Sequence, residues 1–261
     1  MGDLKRYERF GWDYDDVNPP DPAAEAWYLR HLERTGGPVL ELACGAGKLL
    51  DVFARAGHEV TGLDLSEAML DLARRRLAGL PDDVRRRVTL VRGDMADFDL
   101  GRTFPAIVLA DNSFRELPDR DALRTCLGVV RRHLAPGGLL LLTERRFDPS
   151  RYPDGRAAWP FGEPRIDPAT GESVRRRIEV RLLEAPRRIS GTMTYEITGA
   201  DGAVTVEECP FSGPVLEVAE YFELFEEAGF AAELRVGYEE RPDDGVTPML
   251  CFRLITASTA R

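Results

Sequence analysis

The stretch Val39-Leu40-Glu41-Leu42-Ala43-Cys44-Gly45-Ala46-Gly47 restricts the fold of this chain more than any other segment. A short apolar run enters a turn with two glycines, and helical spacing follows to about Ala56, where Gly57 stops it. A strand that ends in a tight glycine turn at a helix N-terminus lets backbone amides approach a ligand closely and favours an anionic group there. Two details separate this turn from a dinucleotide-binding one. Leu50 stands where a third glycine would be, and Glu41 at the strand end would repel a pyrophosphate but favour a cation or accept from an amine.

The alternation repeats. His58–Leu63 reads as a strand, and Ser66 caps a helix that buries Met69, Leu70, Ala73 and Leu77. Val88–Val91 and Ala106–Ala110 are expected strands, Arg120–Leu134 a helix, and Leu139–Thr143 a strand after Pro136-Gly137-Gly138. Upstream, Asp21-Pro22 opens a helix that Gly36-Gly37 ends, whereas residues 1–20 show little periodicity. Such alternation predicts a parallel sheet covered on both faces.

After Glu144 the pattern changes. Five prolines between Phe147 and Thr170 predict a long irregular loop. Val174–Glu184, Ile189–Thr198 and Ala203–Cys209 then read as three antiparallel strands. Pro214 is expected to open a helix with Val215, Val218, Phe222 and Phe225 on one face, and Ala232–Glu239 and Met249–Thr256 are terminal strands.

A net charge of −10 excludes broad nucleic-acid binding and disfavours anionic membranes as partners. No apolar run is long enough to span a bilayer and the charged N-terminus is no signal peptide, so a cytoplasmic protein is expected, monomer or homodimer. Four scattered cysteines predict neither disulfides nor a metal site. The arginine runs Arg74–Arg76, Arg85–Arg87 and Arg175–Arg177 are expected to be solvated faces.

Two further strand ends carry carboxylates. Asp64, in Gly62-Leu63-Asp64-Leu65-Ser66, follows Gly45 by about twenty residues, the distance at which an acidic residue meets ribose hydroxyls in doubly wound folds. Gly93-Asp94-Met95 sets a carboxylate beside a thioether able to sandwich a purine. From the Val39–Gly47 turn through Leu134-Ala135-Pro136-Gly137-Gly138, the chain resembles a class I S-adenosylmethionine-dependent methyltransferase, and more loosely beyond. The resemblance implies an α/β, Rossmann-like doubly wound sheet, mostly parallel with an antiparallel C-terminal strand, plus a small antiparallel β lid. Its expected parts are residues 1–144, an N-terminal segment and cofactor-binding core; 145–212, a lid for substrate; and 213–261, a helix and strands completing the sheet.

The resemblance assigns the turn with Glu41, Ala43, Gly45 and Gly47 to the amino-acid part of the cofactor. Asp64 and Leu65 fall to the ribose, Asp94 and Met95 to adenine. Asp111-Asn112-Ser113-Phe114 would lie beside the reactive methyl group. Ala43 departs from the family's usual glycine and is expected to fit with a negative φ.

A narrower likeness is to small-molecule methyltransferases with Asn-Ser-Phe-x-His-Leu after the fourth strand; here Asn112-Ser113-Phe114-Arg115-Glu116-Leu117 replaces the histidine by glutamate. Methyl transfer is an in-line displacement that needs alignment and a place for the nucleophile's proton. Tyr14 and Glu116 are the candidate bases, with Asn112 lining the methyl site, whereas His31, His58 and His133 are expected to be structural. Asn18-Pro19-Pro20 resembles a nucleic-acid amine methylation motif, but lacks its aromatic and sits before the first strand. Trp159, Phe161, Tyr195 and Phe211 could line an acceptor pocket or pack the lid. The expected activity is methylation of O, N or C on a small molecule of specialised metabolism. A non-methylating lyase or cyclase, an NAD(P)-dependent oxidoreductase and a non-catalytic binding module are the alternatives.

Overall fold

A computed structural model describes residues 4–17, 21–184 and 187–256; Asn18-Pro19-Pro20 lies outside them. Seven strands build the main sheet, in the spatial order β11 (Phe230–Val236), β12 (Met249–Thr256), β5 (Leu134–Arg145), β4 (Phe104–Leu109), β1 (Val39–Leu42), β2 (Val60–Asp64) and β3 (Val88–Arg92). The first five strands in sequence pair in parallel, and β12 runs antiparallel between β5 and β11.

Both faces are covered, as the apolar strands require. In β4, Ile107 and Leu109 join the core under α6 (Arg120–His133) and α7 (Val218–Glu227). Ala106 and Val108 join the core under α2 (Pro22–Thr35), α3 (Lys48–Arg55), α4 (Glu67–Ala78) and the short α5 (Asp82–Arg85). Asp21 caps α2 by accepting from Ala23 N at 2.9 Å, and Ser66 caps α4 by accepting from Met69 N at 3.2 Å. Leu50 fits where a third glycine was missing because the room comes from the facing strand. Its Cδ1 lies 2.6 Å from where a Cβ on Gly62 would stand.

The second sheet has the order β10 (Val204–Pro214), β9 (Arg187–Thr198), β8 (Ser173–Glu184), β6 (Arg156–Trp159), with β7 (Arg165–Ile166) paired to β8. The stretch expected to be irregular thus supplies two short strands, whose pairing partner is long enough to order them despite the prolines. At the other end, β10 runs to Pro214, and the helix expected from there starts only at Val218, with a capping box between Glu217 and Glu220. That later start turns Tyr221, Leu224 and Phe225 inward and leaves Phe222 at the surface.

Residues 5–17, without visible periodicity, form α1 (Lys5–Val17), kinked at Phe10. Its partners lie far away in sequence. Phe10 stacks on Tyr195 at 3.6 Å between ring centres; Asp13, almost fully buried, pairs with Arg165 and, at 2.8 Å, Arg176; Arg9 reaches Asp167 at 2.8 Å. Towards the core, Asp15 pairs with Lys48 and Arg76, both at 2.9 Å. Arg76 and Arg176 are therefore tethers rather than members of solvated faces, while Arg74 and Arg85 do pair with exposed acidic neighbours on their own helices. No described helix is long and apolar enough to cross a membrane.

Candidate active site

A cavity of about 390 Å3 lies at the carboxyl ends of the parallel strands, where the strand order reverses between β1 and β4. Glu41, Ala43 and Gly45 reach it from β1 and the turn, Asp64 and Leu65 from β2, Asp94 and Met95 from β3, and Asp111 and Asn112 from the loop after β4. Tyr14 and Glu116 line it too. Gly47 does not; it sits at φ +74° as the residue before α3, with Ala73 close behind it, so its part is to shape the turn.

Asp64 organises the turn. Its Oδ2 accepts from Gly45 N at 2.8 Å and its Oδ1 from Ser66 N at 2.9 Å, which leaves lone pairs on both oxygens for a ligand diol. Ala43 adopts φ +53°, not the negative value expected. The turn is left-handed at Ala43, Gly45 and Gly47 alike, and a Cβ at the first of these is borne as local strain at a ligand-facing position.

Three carboxylates converge here. Burial, then the charges of Asp111 and Asp64, holds Glu41 well above the usual carboxylate range. Burial also raises Asp64, against the pull of its backbone donors, and raises Asp111, against nearby Lys48. Glu41 Oε2 is buried with no hydrogen-bond partner among the described residues. An orphaned acceptor in a cavity of concentrated negative charge suits a ligand with an ammonium and a second cationic centre, and it opposes a pyrophosphate.

Neither candidate base stands free. Burial, with Glu116 and Asp111 nearby, pushes the Tyr14 hydroxyl up to about 12, so at neutral pH it is a neutral donor. The Glu116 carboxylate, on the turn Ser113–Glu116, is held by Arg6 from α1. None of the three histidines reaches the cavity: His133 is satisfied by Val129 O and Leu100 N, and His31 by Trp27 O. Reasoning from sequence missed Lys48, Arg145, and the rings of Tyr28 and Tyr238, all of which line the cavity. Lys48 alone carried a signal, a lysine directly after the glycine turn in a chain almost without lysine.

A second cavity of about 190 Å3 adjoins the first through Asn112, Glu116 and Arg145. Arg6, Arg115, Arg145, Arg146 and Arg151 outnumber Glu116 and Asp148 around it, though Arg6, Arg115 and Arg146 are ion-paired, and Phe147, Tyr152 and Phe211 supply rings. Of the four aromatics expected either to line an acceptor pocket or to pack the lid, only Phe211 lines this cavity. Tyr195 packs on Phe10, Phe161 lies against Arg175 and Arg177, and Trp159 sits under Arg151 at the surface.

Comparison with known proteins identifies the family. A family described as a methyltransferase domain matches residues 39–138. The chain is 34% identical over 232 residues to the dTDP-3-amino-3,4,6-trideoxy-alpha-D-glucopyranose N,N-dimethyltransferase of Streptomyces venezuelae, covering 86% of this chain and 88% of that one. It is 32% identical over 221 residues to the dTDP-4-amino-2,3,4,6-tetradeoxy-D-glucose N,N-dimethyltransferase of Saccharopolyspora spinosa, covering 83% and 82%. Among solved structures, an S-adenosylmethionine-bound amino pentose methyltransferase from Micromonospora echinaspora superposes with a TM-score of 0.66 at 26% identity, over 94% and 95% of the two chains. The chain belongs to the class I S-adenosylmethionine-dependent methyltransferases that act on small molecules. Its cofactor is S-adenosyl-L-methionine, and the curated relatives named above methylate nitrogen on sugars.

Proposed function

We propose that this enzyme methylates the amino group of a nucleotide-linked amino sugar. The observation that carries this reading is the junction of an acidic cavity with a basic one at Asn112, Glu116 and Arg145. The acidic side suits a cationic cofactor and an amine, and the basic side suits a diphosphate. The relatives' own acceptors support the same choice.

In this reading Glu41 accepts from the cofactor's amine, the Ala43–Gly47 turn cradles its carboxylate, Asp64 and Leu65 take the ribose, and Asp94 and Met95 hold the adenine edge and face. When bound, the cofactor supplies an electrophilic methyl group on a sulfonium. Tyr7 and Tyr14 of α1 close over the cavity and exclude water, with Tyr14 a hydrogen-bond donor. Asp111, more basic than an ordinary aspartate, faces the amine and takes up its proton, while Glu116 offsets its charge. Residues 145–212 act as the lid over the acceptor.

The test is transfer of isotope-labelled methyl from S-adenosylmethionine to the dTDP-linked 3-amino and 4-amino sugars of the two relatives. Label should appear on nitrogen, first as the monomethyl and then as the dimethyl product. Absence of label from both sugars overturns the proposal.

A further inference from the structure

The two cavities meet at Asn112, and an ion pair outside the expected site holds that residue. Asn112 Oδ1 accepts from Arg115 Nη2 at 2.7 Å and from Arg145 N at 2.5 Å. Both partners are donors without lone pairs, so the amide oxygen must occupy that side. The Nδ2 group has no hydrogen-bond partner among the described residues, and Asn112 lines both cavities. Arg115 is clamped in turn: its Nε donates to Glu144 Oε2 at 2.5 Å, and Glu144 is fully buried with Oε1 unpartnered among the described residues. Such a pair is weak evidence for stability, and removing one partner would leave the other charge uncompensated. The loop that it braces is strained, with Asp111 and Asn112 both left-handed at φ +52° and +68°.

We propose that Arg115 and Glu144 are positioning residues that hold Asn112 with its two N–H donors at the junction of the cavities, so that the site selects an acceptor carrying a hydroxyl next to the methylated nitrogen. An N–H donor repels an ammonium and is satisfied by a neighbouring hydroxyl. The inference rests on the proposed amino-sugar reading for its acceptor and not for the geometry of the pair.

The relatives' sugars supply the probes. The 3-amino-3,4,6-trideoxy sugar keeps a hydroxyl beside the amine, and the 4-amino-2,3,4,6-tetradeoxy sugar lacks one. The enzyme should prefer the first by at least about tenfold in kcat/KM. Glu144→Gln should erode that preference and lower kcat about tenfold, while affinity for S-adenosylhomocysteine stays within about twofold. Arg115→Lys, which keeps the charge, should lie between and guards against loss of the fold.

A second readout needs no acceptor. The Asn112 side-chain amide resonance, assigned by its loss in Asn112→Asp, should shift in both variants. An unmoved resonance, or equal use of the two sugars by the wild type, overturns the inference. Failure to methylate either sugar overturns the proposed function instead, and the amide resonance still decides the role of the pair.

Discussion

Asp64 is the residue on which the glycine turn closes, because one carboxylate spans Gly45 N and Ser66 N across two strand ends. Asp64→Ala should weaken S-adenosylhomocysteine binding by about 1–3 kcal/mol, measured by calorimetry; unchanged affinity removes Asp64 from the ribose. Burial pushes Glu144 from 4.5 to about 7, with Arg115 opposing the shift. Between those values the folded chain binds a proton that the unfolded chain does not, so this group's contribution to stability declines as pH rises through the window. Glu144→Gln should flatten that part of the stability curve relative to wild type in denaturant titrations from pH 5 to about 7. The carboxylates at the strand ends were legible because each follows a short apolar run. The handedness at Ala43 was not, since nothing in one alanine states that its turn is left-handed throughout.

At the level of elements, the parallel strands and α2 to α4 were legible from caps, glycines and apolar spacing that lie within each segment. α1 was not. Its buried face is defined by Tyr195, Arg165 and Arg176, and the Arg6 contact that occupies Glu116 spans 110 residues of chain. The same distance hid the two strands among the prolines, which exist only because β8 is there to pair with them. Asp13 is the test of this arrangement, since removing it leaves Arg165 and Arg176 facing each other across the docking surface of α1. Asp13→Ala should cost about 2–3 kcal/mol, less than a fully buried pair because the arginines remain partly solvated. Limited proteolysis should then cut within α1 sooner than in the wild type; equal cutting would mean that stacking of Phe10 alone secures the helix.

Across the whole molecule, negative charge gathers at the carboxyl edge of the sheet and positive charge in the adjoining cavity. Glu41, Asp64 and Asp111 hold their protons above the ordinary range, so a cationic ligand should expel protons on binding. Calorimetry at mildly acidic pH, in buffers of different ionisation heat, should show more protons released by S-adenosylmethionine than by S-adenosylhomocysteine, which lacks the sulfonium. Equal release would place the sulfonium away from these carboxylates.

Because α1 is fastened to the second sheet by Asp13 and to the core by Asp15, the pocket has a roof riveted at both sides. In the proposed reading, exchange of spent for fresh cofactor is expected to wait for a rivet to open. Loosening the core-side rivet with Asp15→Ala should quicken the escape of S-adenosylhomocysteine in stopped-flow traces; an unchanged escape rate would mean the cofactor leaves by another door.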